Sequence, residues 1–145
     1  MTEDAATIAE PFGIAQLMSM LAGIFFVVVG AVALARTGVH SLRSPTAEVF
    51  SMGMTPLLAL IEIGVGVLFM IAAMGRMLAR DLDVFLGSLM IAAGLIVLMQ
   101  PDVLDSWLGM TQTNGIAYLV AGAASVLAAI LTPRLMVSRR HVSAM

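Results

Sequence analysis

The chain contains 145 residues, of which 61% are hydrophobic and 11% charged, and its formal net charge is −2 with no cysteine. Soluble domains typically contain about 45–50% apolar and about 25% charged residues. These values exclude a disordered chain, a nucleic-acid-binding protein and an ordinary soluble enzyme. The lack of cysteine excludes disulfides, thiolate nucleophiles, iron–sulfur clusters and Cys-type zinc sites.

Four apolar segments follow one another along the chain, separated by short polar stretches. A membrane span needs roughly 17–25 apolar residues, and a single spanning segment must be helical because lipid cannot hydrogen-bond to the backbone. We therefore predict an all-α integral membrane four-helix bundle that forms a single membrane domain over residues 1–145. The predicted helices cover about residues 12–35, 56–75, 84–100 and 115–132.

The residues around these segments carry familiar helix boundary signals. Thr55 followed by Pro56 is typical of an N-cap and a first helical position. The acidic start of the chain, MTEDAATIAE, lacks the basic region of a secretory signal, so we expect the first helix to be retained. Other predicted boundary residues are Pro11 for helix one, Asp81 or Asp83 and Gln100-Pro101 for helix three, and Asn114 and Thr132-Pro133 for helix four.

The arginines predict the orientation of the chain in the membrane. Cytoplasmic segments carry an excess of basic residues, and placing both termini inside gives five arginines inside and two outside. We therefore expect both termini to be cytoplasmic. Trp107 and Tyr118 then fall near the outer interface, where amphipathic aromatic side chains collect.

Glycine spacing suggests an internal repeat of a two-helix hairpin. The first and third helices both contain glycines seven residues apart. A duplicated hairpin with parallel repeats explains this pattern, and chance alignment of glycine-rich membrane helices is the alternative. Small residues let membrane helices approach closely, so we expect packing contacts at Gly23, Gly30, Gly64, Gly66, Gly87, Gly94 and Gly122.

Glu62 is the most informative polar residue because it lies inside the second apolar segment. A charge at the bilayer centre costs about 2.5–3.5 kcal/mol on insertion scales. Three interpretations are open. The carboxyl group can be protonated and hydrogen-bonded within the bundle, it can pair with Arg36 at the outer end of helix one, or it can bind a proton, a cation or a substrate in a cavity.

The remaining polar residues form no recognisable site. Gln16, Ser19, Ser88 and Ser125 fit interhelical hydrogen bonds, and the two histidines and thirteen methionines do not cluster as metal sites do. We predict no catalytic, cofactor-binding or metal-binding residues. The segment between Asp102 and Leu108 is typical of a short interfacial helix.

Three segments resemble small four-helix membrane proteins of actinobacteria: VVVGAVALARTG, TPLLALIEIGVGVL and NGIAYLVAG. This resemblance implies an integral membrane protein and no particular catalytic residue. Four short helices with one intramembrane glutamate are also similar to the small multidrug transporters, in which the acid lies in the first helix rather than the second.

The sequence thus predicts a non-catalytic protein of a bacterial plasma membrane. Its expected partners are the lipid bilayer and either other membrane subunits or further copies of itself, with no nucleic acid and no cofactor. The primary hypothesis is an accessory subunit of a membrane complex or a homo-oligomer. The alternative is a small proton- or cation-coupled transporter that uses Glu62.

Overall fold

The computed structural model describes residues 13–132, and this part of the chain is mostly helical. Two short antiparallel strands lie between the first and the second helix. In chain order, the elements of the described range are α1 (Ile14–Thr37), β1 (Ala47–Val49), β2 (Met52–Met54), α2 (Pro56–Ala72), α3 (Arg76–Met99), α4 (Pro101–Leu108) and α5 (Gln112–Leu131).

Three helices in the described range are long and apolar enough to cross a membrane: α1, the Met77–Met99 portion of α3, and α5. The prediction of a mostly helical chain with apolar helices of membrane-spanning length is confirmed. Helix α2 is also apolar but has 17 residues. Its length is about 25 Å, slightly less than the hydrocarbon thickness of about 30 Å.

Helices α1 and α2 pack against each other as an antiparallel hairpin. A Cβ atom at Gly23 would lie 2.8 Å from the carbonyl oxygen of Gly66, and one at Gly30 would lie 2.6 Å from that of Ala59. These separations are too short for a methyl group. The glycines therefore allow the two backbones to approach closely, as small residues commonly do in membrane helices.

Helices α3 and α5 form a second antiparallel hairpin with the same arrangement. A Cβ atom at Gly87 would lie 2.8 Å from the carbonyl oxygen of Gly122, and one at Gly94 would lie 2.7 Å from that of Gly115. The two glycines of α3, seven residues apart, thus each contact α5, just as the two glycines of α1 with the same spacing each contact α2.

Gly64 corrects one of the predicted packing positions. It is exposed on α2, and no heavy atom of the described chain lies within 4 Å of a Cβ built there. Helical geometry explains this, because Gly64 and Gly66 are two residues apart and therefore face different directions. Gly66 lies in the contact with α1, and Gly64 does not.

The two strands and the segment around α4 cover one end of the bundle; we call residues 47–55 and 101–111 together the cap. Strand pairing places Ala47 opposite Met54 and Val49 opposite Met52. The Thr55 amide donates a hydrogen bond of 3.1 Å to the carbonyl oxygen of Leu108. The cap therefore joins the connection of the first hairpin to that of the second.

Helix α3 begins well before its predicted start near residue 84. Its N-cap is Gly75, so neither Asp81 nor Asp83 caps it. The charged residues were interpreted as a polar boundary, yet two of them have partners on neighbouring helices. Arg80 Nε donates to the carbonyl oxygen of Ala129 at 3.2 Å, and Asp83 accepts a hydrogen bond from Ser19.

The other helix boundaries follow local capping chemistry. Thr55 caps α2 as predicted, since its side chain accepts a hydrogen bond from the amide of Leu58. Helix α5 starts at Gln112 rather than 115, because Thr111 is its N-cap and Asn114 lies one turn inside the helix. The short helix predicted between Asp102 and Leu108 is present as α4.

Several predictions fall outside the described residues. These are the first residue of the predicted helix one, the boundary prolines Pro11 and Pro133, and the C-terminal arginines Arg134, Arg139 and Arg140.

Candidate functional site

A buried carboxyl group and a buried phenol meet in the interior of the bundle. Glu62 is 2% exposed on α2, and Tyr118 is 7% exposed on α5. Tyr118 Oη donates a hydrogen bond of 2.7 Å to Glu62 Oε1. The bond therefore links the first hairpin to the second.

The partner of Glu62 was not identified from the sequence. Arg36 was proposed for this role, but its Nη1 donates to the carbonyl oxygen of Glu48 at 2.7 Å. Tyr118 was expected near the outer membrane interface, and the structure shows that it is buried in the bundle with its hydroxyl group satisfied by a carboxyl oxygen. Buried tyrosines usually find such a partner for the hydroxyl group.

The second carboxyl oxygen of Glu62 has no such partner. Within the described residues, Oε2 is buried and makes no hydrogen bond. A buried polar atom without a partner is unusual in native proteins and calls for a specific explanation. One of the two oxygens of this carboxyl group thus has no partner within the described chain.

The Glu62–Tyr118 pair lies in the wall of a cavity of about 220 Å³ between the two hairpins. Helix α2 provides one side and α3 the other, while Leu108 and Met110 of the cap contribute at one end. Apart from the two paired residues, the lining is entirely apolar: Phe26, Leu58, Ile61, Val65, Leu89, Met90, Ala93, Leu108 and Met110.

Aromatic side chains fix the back of the cavity. The Phe26 ring meets the Tyr118 ring edge-on, with ring centroids 6.1 Å apart. It also stacks against Phe69 at 6.3 Å. Edge-on and offset-stacked arrangements are favourable for aromatic pairs, so these contacts hold the phenol ring of Tyr118 in place beside Glu62.

A second polar pair joins α1 to α3. Ser19 Oγ donates a hydrogen bond of 2.7 Å to Asp83 Oδ1, and both residues are fully buried. Asp83 Oδ2 and the hydroxyl group of Ser125 are also buried without a hydrogen-bond partner in the described range. Asp83 is not among the residues that line the cavity, so the two acids have different surroundings.

The other polar helix residues that the sequence indicated either hydrogen-bond to a backbone group or are exposed. Gln16 Nε2 donates to the carbonyl oxygen of Ala73 at 3.1 Å, and Ser88 is exposed. Near the cap, Trp107 is exposed and the Arg43 guanidinium lies 4.3 Å from its ring centroid. None of these residues lines the cavity beside Glu62.

The described residues contain no group of three or more histidine, aspartate or glutamate side chains that could hold a metal ion. Comparison of the whole chain finds no matching family model, no matching curated protein and no matching solved structure. The geometry around Glu62 places a carboxyl group with one unpartnered oxygen in the wall of an apolar cavity.

Proposed function

We propose that this chain is a multi-pass protein of a bacterial plasma membrane in which α1, α2, α3 and α5 each cross the bilayer. The two close hairpins support four crossings, since α2 packs along α1 as α5 packs along α3. Four crossings put both termini on one side, and the excess of arginine there favours the cytoplasm. The polar connections of the cap then lie outside.

We further propose that the two hairpins arose by duplication. Glu62 and Tyr118 are 56 residues apart, and so are Gly66 and Gly122. The tripeptide Gly-Met-Thr at 53–55 recurs at 109–111, again 56 residues later. The two threonines of these tripeptides are the N-caps of α2 and α5. This agreement between sequence and helix capping supports an internal repeat.

The first helices of the two hairpins support the same relationship. Ser19 and Asp83 are 64 residues apart, as are Gly23 and Gly87 in the helix contacts. The interval differs from that of the second helices because the connections have different lengths. In both pairs, residues at corresponding positions hydrogen-bond to each other across the interface between the hairpins.

For the function, we propose a small proton- or cation-coupled carrier that binds apolar small molecules beside Glu62. The observation that carries this proposal is the buried Oε2 atom, which has no partner in the described chain although its carboxyl group lies in a cavity wall. An intramembrane acid facing a cavity commonly marks an ion or substrate pathway. Asp83 also has one buried oxygen without a partner in the described range, but unlike Glu62 it does not line the cavity.

The proposal is tested by filling the cavity with a larger side chain while Glu62 is left unchanged. Ala93 lines the cavity, whereas its neighbour Ala92 is exposed on the same helix. The purified chain in lipid nanodiscs would be titrated by NMR with 2-phenylethylamine and 2-phenylethanol, two probes of nearly equal size. We expect saturable binding of at least one probe to the wild type and to Ala92→Phe, and loss of that binding in Ala93→Phe.

Two controls make the outcome decisive. Thermal unfolding shows whether Ala93→Phe is folded, and Ala93→Leu provides a smaller obstruction if it is not. Equal probe binding by wild type and a folded Ala93 variant would overturn the proposal, as would the absence of saturable binding of both probes to the wild type.

The accessory-subunit hypothesis remains a second proposal, and the surface of the cap favours it. Phe50 at the turn between β1 and β2 is 75% exposed and has a positive φ of 52°. A bulky residue in this backbone region is uncommon. Native mass spectrometry after gentle detergent extraction tests this proposal, because a subunit would be recovered with a larger complex at fixed stoichiometry and a Phe50→Ser variant would lose that complex.

A further inference from the structure

The cavity beside Glu62 offers a bound molecule almost no polar atoms. Oε1 of Glu62 accepts the hydrogen bond of the Tyr118 hydroxyl group, and Oε2 is buried with almost no accessible surface. Both side chains therefore line the cavity mainly with their carbon atoms, and the other lining residues are apolar. A molecule in this cavity consequently meets a wall made almost entirely of hydrocarbon groups.

We propose that the ligand of this cavity is a small uncharged molecule made mainly of hydrocarbon, which the chain takes up from the lipid bilayer. This inference rests on the proposed function and specifies its substrate class. The ligand is recognised by its size and by apolar contact, and it forms no hydrogen bond with Glu62. The Glu62–Tyr118 pair fixes the shape of one wall and does not hold a polar group of the ligand.

The composition of the wall selects against polar ligands. A hydroxyl or ammonium group that enters the cavity loses its hydrogen bonds to water or to lipid headgroups, and no accessible partner replaces them. A water molecule would be poorly held for the same reason, because a buried water needs about two to four polar partners. An apolar molecule loses no hydrogen bonds, and dispersion contacts with the wall stabilise it.

The cavity volume limits the size of the ligand. An engineered apolar cavity of about 150 Å³ holds one benzene molecule. By the same proportion, the cavity of about 220 Å³ accommodates a molecule of about nine non-hydrogen atoms. A single ring with a short side chain or a short branched chain therefore fits, and a larger ring system does not.

The rim of the cavity indicates how the ligand enters. Ile61 on α2 and Leu89 on α3 both line the cavity and are 46% and 56% exposed. These apolar side chains lie on the flank of the bundle, between the two hairpins. In the proposed topology this flank faces lipid, so the ligand reaches the cavity sideways from the bilayer.

The depth of the cavity favours a free molecule over the end of a lipid chain. On α2 the lining residues run from Leu58 to Val65, a stretch of about 10 Å that begins close to the cap. In the proposed topology this stretch lies in the outer half of the bilayer, whereas lipid chains end near its centre, about 15 Å from the surface of the hydrocarbon layer. A chain end would have to fold back towards the headgroups to reach the cavity.

Two methionines allow binding to be observed inside the cavity. Met90 on α3 and Met110 in the cap both line it, and both are buried. Met54 is also buried in the cap but does not line the cavity, so it serves as an internal control. Isotope-labelled methionine methyl groups give separate NMR signals, and single methionine-to-leucine variants assign them.

The experiment compares three probes of equal size and different polarity in lipid nanodiscs. Propylbenzene ends in a methyl group where 2-phenylethanol has a hydroxyl group and 2-phenylethylamine has an amine that is protonated at neutral pH. Each probe is titrated against the wild type, Ala92→Phe and Ala93→Phe, and its concentration is expressed per mole of lipid. Ala93→Leu takes the place of Ala93→Phe if the latter is unfolded.

We expect propylbenzene to shift the Met90 and Met110 signals saturably and to leave the Met54 signal unchanged. The alcohol should bind saturably at the same place but about tenfold more weakly, and the amine more weakly still, because the wall cannot replace the hydrogen bonds that they lose. Ala93→Phe should abolish the shifts because it fills the cavity, while Ala92→Phe should retain them because Ala92 is exposed.

Other outcomes separate this inference from the proposed function. If the alcohol or the amine binds as tightly as propylbenzene and remains sensitive to Ala93→Phe, the hydrocarbon ligand is overturned and the ligand site of the proposed function remains. If none of the three probes binds saturably, both fail. Nuclear Overhauser contacts from Met90 or Met110 to the terminal methyl groups of the lipids, persisting at saturating propylbenzene, would assign the cavity to a lipid chain and also overturn the inference.

Discussion

Glu62 and Tyr118 hydrogen-bond at 2.7 Å across the interface between two hairpins, and they are 56 residues apart in the chain. The same interval relates the Gly-Met-Thr tripeptides that precede α2 and α5. Under the proposed duplication, Glu62 and Tyr118 hold corresponding positions but carry different chemistry. In the proposed duplication, one copy of this position has the acid and the other has its hydrogen-bond donor.

The first prediction concerns the strength of this bond. Tyr118→Phe removes the donor and should lower the free energy of unfolding, because Glu62 Oε1 then lacks a partner. A double-mutant cycle with Glu62→Met isolates the interaction. We expect a coupling energy of about 0.6 kcal/mol and no more than about 1.7 kcal/mol, the average and the maximum measured for hydrogen bonds between membrane helices.

The cycle would be measured by SDS-induced unfolding in mixed micelles, followed by far-UV circular dichroism. If Tyr118→Phe costs the same in the wild-type and the Glu62→Met backgrounds, the hydrogen bond contributes nothing to stability. Ser19→Ala provides a control for general weakening of the hairpin interface, since Ser19 bonds to Asp83 and not to Glu62.

A second prediction uses two glycines of α2 that lie two residues apart. A methyl group at Gly66 would lie 2.7 Å from the carbonyl oxygen of Gly23, whereas one at Gly64 meets nothing within 4 Å. We expect Gly66→Ala to destabilise by about 1–3 kcal/mol through overpacking. Gly64→Ala should stabilise by up to about 1 kcal/mol, because alanine has the higher helix propensity.

Opposite signs are the essential result of this comparison, and thermal unfolding in one detergent would measure both variants. Equal destabilisation by the two substitutions would contradict the α1–α2 contact described above. Gly122→Ala extends the test to the second hairpin, where its methyl group would meet the carbonyl oxygen of Gly87.

These glycines show which features of the fold can be predicted from the sequence alone. Their spacing indicated a helix contact, but it could not separate Gly64 from Gly66, because the sequence does not show which face of α2 packs against the neighbouring helix. The capping role of Thr55 was predictable since it acts within three residues. The Tyr118 partner of Glu62 was not, because a hydrogen bond across 56 residues leaves no local signal.

The start of α3 was predicted wrongly for a related reason. Arg80 and Asp83 look like boundary residues in a sequence that otherwise has few charges, and only the packed structure supplies their partners, Ala129 and Ser19. The identical Gly-Met-Thr tripeptides at 53–55 and 109–111 were a usable signal. Aligning them places Tyr118 at the position that corresponds to Glu62, but only the structure shows that the two side chains are in contact.

A third prediction concerns Asn114, which holds the cap together. Its Oδ1 accepts hydrogen bonds from the amides of Gly53 and Thr111, and its Nδ2 donates to the carbonyl oxygen of Gly53. Asn114→Ala should lower the unfolding free energy by about 2–3 kcal/mol, since each unsatisfied buried group costs about 1–3 kcal/mol. Thr113→Ala, at an exposed neighbouring position, should change it by less than about 0.5 kcal/mol.

The same variant should loosen the cavity, because Leu108 and Met110 of the cap contribute to its lining. We therefore expect Asn114→Ala to weaken 2-phenylethanol binding and to speed hydrogen exchange at residues 52–55 and 108–111. Unchanged exchange in those segments would mean that Asn114 does not hold the cap.

The final prediction exchanges the two members of the central pair. In Glu62→Tyr/Tyr118→Glu, the donor and the acceptor trade helices but remain opposite each other, so the double variant should be more stable than either single variant. Tyr118→Glu alone puts two carboxyl groups in contact, and Glu62→Tyr alone puts two hydroxyl groups there. SDS-induced unfolding of the three proteins gives this ranking, and a double variant less stable than both singles would contradict the proposed equivalence.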